Sequence, residues 1–276
     1  MNLKRFILSQ KNKLNRFFFA RKIRFISKFY GYKKRKIFID CGTHLGMGFS
    51  RLSSLLNLNE EWEVYGFEAN PYVYSKYLEN INSNEYPTLR NKNISLFNKA
   101  VWTSDEGISF SLRGISEKHY DLNFKNGKDE DNPFYKKSWE PPLANLGAKK
   151  YGLSKEEIIK IPWDGGSCIT EIKNKIKDSS DRDELYTWHE KVEVESIDLS
   201  KWIIENFKKT DLIILKLDIE GSEYPVLKKM FENKSIEYVN YAFVEWHDWF
   251  IPEYKELTNE FKSKFKKLNV GLKGWG

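Results

Sequence analysis

Ile37-Phe-Ile-Asp40-Cys41-Gly42-Thr43-His44-Leu-Gly46-Met-Gly48 runs from a short apolar strand through an acid and a glycine turn into the start of a helix. Gly42 lets the backbone turn and approach a ligand without a Cβ in the way. Gly46 allows the helix start to come close to the strand or the ligand. The helix N-terminus then offers free N–H groups and a partial positive charge to an anionic group. A dinucleotide fingerprint would need glycines two and five residues after Gly42. Those positions hold His44 and Met47. The pattern D-x-G-x-x-x-G suits instead a nucleoside that carries a carboxylate and no pyrophosphate.

Outward from this turn, strand and helix signals alternate. Lys36 to Asp40 reads as a strand and Met47 to Leu58 as a helix. Trp62 to Phe67 is a second strand, followed by a helix after Pro71. Ile94 to Val101 and Ile108 to Leu112 are further strands. Asp211-Leu-Ile-Ile-Leu-Lys-Leu217 is a strongly apolar strand before a helix at Ser222 to Phe231. Tyr238 to Trp246, a helix at Glu253 to Leu268 and a strand near Val270 complete the series. Apolar strands between amphipathic helices predict an α/β fold with a mostly parallel, Rossmann-like sheet covered on both faces.

The charged residues fall at strand ends, where open α/β sheets bind ligands. Glu68 ends the second strand and can accept hydrogen bonds from both hydroxyls of a ribose, as acids do in dinucleotide folds. Leu215-Lys-Leu-Asp218-Ile-Glu220-Gly221-Ser-Glu223 puts an acidic cluster at the end of a central strand. Glu220 and Glu223 can also be read as helix-start residues that complement the dipole. Phe243-Val-Glu245-Trp-His247-Asp248 brings a carboxylate and an imidazole to the same rim. Two catalytic arrangements follow. In the favoured one His247 is a general base oriented by Asp218 or Glu245, with Glu220 beside them. In the other, Asp218, Glu220 and Asp248 gather Mg²⁺ through oxygen ligands. No tight carboxylate triad is visible in the sequence, so no metal ligands are assigned. His119 and His189 have no partner that the sequence identifies.

Composition narrows the classes. The chain has 276 residues, 31% charged, and a mean hydropathy of -0.63. No run of about 18 apolar residues exists, so no spanning helix is expected. Cys41 and Cys168 are the only cysteines, which gives no disulfide framework and fits a cytoplasmic setting. The net charge of +7 is local: residues 1–36 hold thirteen Lys and Arg and no acid, leaving 33 basic against 39 acidic residues. No nucleic-acid partner is therefore expected for the catalytic part.

The chain divides into a basic, amphipathic helical arm (1–35) and a catalytic domain (36–276) with an insertion at 113–190. In the arm Leu3, Ile7, Leu14, Phe18, Phe25 and Phe29 fall near a helical period. That stripe has two readings. It lies on the catalytic domain, or residues 1–30 attach the protein peripherally to an anionic membrane surface or glycolipid. The insertion carries Tyr120, Phe134, Tyr135, Trp139, Tyr151, Trp163 and Trp188 and reads as a lid over the sheet's edge.

Phe38-Ile-Asp40-Cys-Gly42, Phe67-Glu68-Ala-Asn-Pro71, Asn98-Lys-Ala-Val101, Val194-Glu-Ser-Ile-Asp-Leu199 and Lys216-Leu-Asp218-Ile-Glu-Gly-Ser-Glu223 together resemble the FkbM-type methyltransferases. The resemblance covers about 36–112 and 165–275. It implies a class I methyltransferase fold with strand order 3-2-1-4-5-7-6 and S-adenosylmethionine as cofactor. Cofactor contacts are implied within Asp40, Cys41, Gly42, Thr43, His44 and Gly46, within Glu68, Ala69 and Asn70, and at Asp218. Ala100 or Val101 would lie beside the adenine. It further implies O-methylation of a sugar or glycoconjugate hydroxyl. Other acceptors (lipid, polyketide, protein) and a non-catalytic cofactor-binding module are the alternatives. The stretch from Arg113 to Asp164 is longer than the family's usual connection, so the acceptor does not carry over.

Overall fold

The computed structural model describes residues 18–28, 34–82, 93–118, 120, 154–162, 166–176, 186–249 and 251–275. Residues 18–28 form helix α1. The chain continues as β1 (Lys36–Cys41), α2 (Met47–Leu56), β2 (Trp62–Phe67), α3 (Pro71–Asn82), β3 (Asn93–Phe97), β4 (Ala100–Trp102) and β5 (Ile108–Ile115). A short helix, Lys155–Lys160, precedes β6 (Cys168–Ile169), β7 (Tyr186–Val194) and β8 (Ser196–Asp198). Then come α4 (Leu199–Asn206), β9 (Leu212–Leu217), α5 (Glu223–Glu232), β10 (Tyr241–Val244), α6 (Tyr254–Lys267) and β11 (Gly271–Gly274). No helix among the described residues is long and apolar enough to cross a membrane.

The main sheet has the order β11-β10-β9-β1-β2-β3, and every pair in it is parallel. Strand alternation divides its side chains between two apolar layers. Ile37, Ile39 and Cys41 face one layer with Ile213, Leu215 and Leu217 of β9, under Ile203, Val226, Leu227 and Phe261. Phe38 faces the other with Leu212 and Ile214, under Ile23 of α1, Phe49 and Leu52 of α2 and Tyr77 of α3. Both faces of each central strand are therefore dry. That is why β1 and β9 read as unbroken apolar runs in the sequence.

Two expectations change. The family order 3-2-1-4-5-7-6 places an antiparallel strand beside the fifth, whereas among the described residues β11 pairs directly and in parallel with β10. The turn after α6, with Asn269 in the left-handed region (φ 56°), delivers Gly271 to donate its N–H to Asn240 O at 2.9 Å. A Cβ on Gly271 would meet the Tyr241 ring at 2.5 Å, so this pairing requires glycine. The strand read at 94–101 is likewise two. β3 ends the main sheet, and β4 pairs with β8 in a separate ladder.

Of the arm's expected stripe, the two described members, Phe18 and Phe25, lie on the outer face of α1. α1 docks through Ala20 and Ile23, both buried, and through Phe19, whose ring meets Tyr241 and Phe243 edge-on at 5.6 Å. Arg24 donates to Leu55 O at 2.7 Å. Phe18 and Phe25 stand 58% and 64% exposed. Seven residues apart, they share one helical face, opposite the one that Ala20 and Ile23 occupy. Leu3, Ile7, Leu14 and Phe29 lie outside the described residues, as do Phe134, Tyr135, Trp139, Tyr151 and Trp163 of the insertion. The insertion's described ends join β5 in an antiparallel sheet, β6-β5-β7.

One polar contact crosses the middle of the main sheet. Lys216, on β9, is buried and faces the α2 side with Asp40 of β1, its Nζ 3.1 Å from the carboxylate. α2 begins directly above them, and a Cβ on Gly48 would strike Lys216 Cε at 2.7 Å. Removing one member of such a pair strands a buried charge, which costs about 3–5 kcal/mol, whereas removing both costs far less. Lys216→Met is therefore expected to lower the unfolding free energy in urea by about that amount. The double variant Asp40→Asn/Lys216→Met should recover a large part of the loss.

Candidate active site

A cavity of about 330 Å³ opens at the carboxyl ends of the main-sheet strands, where the strand order reverses between β1 and β9. The turns after β1, β2, β9 and β10 form its floor, and Phe110 of β5 with Ser167 and Ile169 forms a facing wall. The sequence candidates Gly42, His44, Glu68, Ala69, Asn70, Ala100, Val101, Asp218, Glu220 and Glu245 all line it. Asp40, Cys41, Thr43, Gly46 and His247 do not. Asp40 lies beneath, paired to Lys216. Gly46 is a glycine for Tyr77, whose ring a Cβ would meet at 2.5 Å.

Glu68 is fixed from both sides. His44 N–H donates to Oε2 at 2.8 Å and Asn70 N–H to Oε1 at 2.9 Å. Burial nevertheless pushes its carboxyl up to about 7, with those two N–H groups pulling the other way. Asn70 caps α3 by accepting from Tyr72 and Val73 N–H, so Pro71 starts the helix without losing a bond. Its Nδ2 donates across to Pro162 O at 2.6 Å and to Ser167 Oγ at 3.4 Å, joining floor and wall. Asn98 Nδ2 holds Glu68 O at 2.8 Å. Gly42, at φ 76°, has no room for a side chain: a Cβ would lie 1.8 Å from Asp218 O.

The acid at the end of β9 has cationic and neutral donors together. Lys216 Nζ lies 3.4 Å from Asp218 Oδ2 and donates to Gly42 O at 2.8 Å, while Trp275 Nε1 donates to the same Oδ2 at 3.0 Å. Burial works to raise the Asp218 carboxyl, but Lys216 and His247 prevail and hold it below the usual aspartate value. Glu245, across from it, is pushed up to about 7 by burial and by the Asp218 charge. Burial takes Glu220 up to about 8.

Glu220 (φ 52°) and Gly221 (φ 95°) are both left-handed, an uncommon state for the glutamate. Glu223 pins this turn by accepting Ile219 N–H at 2.6 Å and Gly221 N–H at 2.9 Å. The turn's Ser222 Oγ is buried, lines the cavity and has no hydrogen-bond partner among the described residues.

His247 differs from its expected setting. The imidazole is 2% exposed, with Nδ1 3.1 Å from Glu223 Oε1 and Nε2 3.5 Å from Glu220 Oε2. Glu223 and Glu220 thus lie at its two ring nitrogens, where the sequence reading names Asp218 or Glu245 as the orienting group. Burial opposes its charge, but the two glutamates outweigh it and raise the ring to about 10, so at neutral pH it is a cation. A cation has no lone pair with which to take a proton. For metal binding, Asp218, Glu223 and His247 bring one ligand atom each within 4.8 Å of one another. Asp248, the third acid of the expected Mg²⁺ set, does not belong to that group. Both oxygens of Glu223 already accept backbone N–H groups.

Several cavity residues carry little sequence signal. Lys99 sits inside the Asn98-Lys-Ala-Val101 motif, and Ser167 directly before β6, yet the sequence marks neither for the cavity. Phe110 reads only as one apolar position of a strand. Lys216 reads as an interruption of one, and Trp275 as a residue beyond the last.

A parallel sheet with a glycine turn after its first strand, an acid after its second and a shared cavity between them defines a Rossmann-like methyltransferase fold. The chain belongs to the family described as the methyltransferase FkbM domain, whose model matches residues 40–269, and it is a methyltransferase. No curated protein and no solved structure shows a significant match to it.

The raised pKa values all give stability the same sign. His247 goes from 6.5 to about 10, so its contribution is complete below about 6.5 and is lost as pH rises through 10. Glu68, Glu220 and Glu245 go from 4.5 to about 7, 8 and 7, so the folded state holds their protons longer and loses stability above about 4.5. Denaturant unfolding of the ligand-free protein is expected to show falling stability from about pH 5 to 10. In His247→Gln the alkaline part of that fall should flatten.

Proposed function

We propose that the protein is an S-adenosylmethionine-dependent O-methyltransferase that acts on a hydroxyl of a sugar or glycoconjugate. The observation that carries this reading is the position of Glu68 and Asp218 on opposite turns of one cavity, one carboxylate prepared for a nucleoside and the other held ionised beside it. When bound, S-adenosylmethionine supplies an electrophilic methyl group on a positively charged sulfur.

The chain's own residues divide the remaining work. Glu68 would hold the ribose, because each of its oxygens keeps a lone pair after accepting one backbone N–H. Gly42 would leave its backbone accessible to the ligand. Ala100 and Val101, buried and small, suit the flat apolar face of a base. The acid-lined rim would complement a cationic sulfur centre. Asp218 is the group we assign as base, taking the proton of an acceptor hydroxyl on its carboxylate. Lys216 and Trp275 keep it charged and aimed. Glu245 shares the site, so the two carboxyls titrate as a unit and bring proton uptake towards neutral pH. Glu220 and Ser222 add hydrogen-bonding groups that an acceptor with several hydroxyls can use.

Glu68→Ala and Gly42→Val should each weaken S-adenosylmethionine binding about tenfold to a hundredfold by calorimetry, the cost of a lost charged hydrogen bond or of a blocked approach. Unchanged affinity in both would overturn the cofactor assignment. In Asp218→Asn, methyl transfer to the best substrate of a sugar panel should drop about 10²–10⁴-fold while the cofactor still binds. The rate should rise as pH passes about 7, where Glu245 titrates, and Glu245→Gln should move that rise towards acid. Turnover that EDTA abolishes and Mg²⁺ restores would favour a metal over this base.

A further inference from the structure

α1 uses its inner face to join the fold, and what remains outside is not an ordinary solvated surface. Phe18 and Phe25 are the most exposed large apolar side chains among the described residues. Seven residues separate them, about two helical turns or roughly 10 Å along the axis. They therefore lie on one line along the side of the helix opposite the docked one. Arg21 and Lys22 stand exposed between them and Lys28 beyond them. No acidic residue occurs anywhere in residues 1–36. Exposing two aromatic rings to water is unfavourable, and a purely electrostatic surface would not need them. An apolar ridge between cations is the pattern of helices that lie flat in a membrane interface, with rings at the acyl boundary and ammonium or guanidinium groups at the phosphates.

We propose that the outer face of α1 is a docking surface for an anionic lipid bilayer: Phe18 and Phe25 enter the interface, and Arg21, Lys22 and Lys28 bind the headgroup phosphates. Charge complementarity selects the anionic surface. The paired rings select a bilayer over a nucleic acid, for which the cations alone would serve. The anchoring of Phe19 on Tyr241 and Phe243 makes this a rigid attachment, so that binding fixes the orientation of the catalytic sheet against the lipid. The inference is independent of which hydroxyl is methylated, and its test does not read activity.

The test uses the full chain and sedimentation with vesicles of phosphatidylcholine, alone or with about one third phosphatidylglycerol. Binding to the anionic vesicles is expected to be at least about tenfold stronger, and to weaken in about 0.5 M salt. Phe18→Ser/Phe25→Ser should lower vesicle affinity about tenfold or more, while Arg21→Glu/Lys22→Glu should remove the preference for anionic lipid. Both variants should keep the wild-type melting temperature and S-adenosylhomocysteine affinity, since neither pair belongs to the buried face or the cavity. Equal binding to neutral vesicles would overturn the proposal. So would a serine variant that binds like wild type, which would assign attachment to bulk charge in the arm. Single-stranded RNA that binds the wild type and the serine variant equally, and displaces vesicles, would assign the face to nucleic acid instead.

Discussion

An ammonium group buried where the sheet reverses its strand order holds the catalytic half of this protein together. Lys216 has almost no contact with water, and its charge is tolerated because the ends of β1 and β9 surround it with Asp40, Asp218 and the carbonyl of Gly42. A desolvated lysine without such partners would lose its proton or unfold the strand. The requirement runs in both directions. The lysine needs three acceptors at fixed distances, and those acceptors are the residues whose places define the cavity floor. The turn after β1 is set by where its carbonyl must lie, and Asp218 is ionised because of the cation beneath it. Much of the site's electrostatics thus follows from one side chain that no substrate touches.

A second constraint works above the floor. The turn from Asp218 to Glu223 contains a glutamate in a conformation glycine normally takes, and such strain persists only where neighbours over-determine it. Here Glu223 binds two backbone N–H groups of the turn and presents its remaining charge to His247. The imidazolium answers both that acid and Glu220. The histidine is therefore part of the frame that holds the rim. A cavity built in this way is formed before any ligand arrives, so binding need not also order the loop.

The sequence made legible what is local. Ile37 to Gly48 announces a strand, a tight turn and a helix because apolar period, glycine and acid fall within a dozen residues. Glu68 is visible because it follows a strand at the right remove, and the Asp218 motif because its acids cluster in the chain itself. What escaped reading is non-local. Lys216 looks like a polar break in an apolar strand, since its partner Asp40 lies on the far side of the sequence. The protonation of His247 depends on Glu223, which looks like an ordinary helix-start acid. The phase of α1 is hidden in the sequence for a different reason. The larger apolar residues, Phe18 and Phe25, outweigh Ala20 and Ile23 in any count of hydrophobicity, yet the smaller pair fits the close approach to the sheet. The pairing of β11 with β10 turns on a single glycine that admits Tyr241, and strand order has no signature in so short a segment.

Asn70 begins α3 with its side-chain oxygen, donates its backbone N–H to Glu68 and reaches with its Nδ2 to Pro162 and Ser167 on the opposite wall. The facing sheet is therefore not a detachable module. Anyone who wished to retarget this enzyme by transplanting the stretch around Ser167 from another protein would have to preserve two oxygen atoms, a carbonyl and a hydroxyl, at the same distances from one amide. A graft that ignored them would disturb the Glu68 carboxylate from across the cavity.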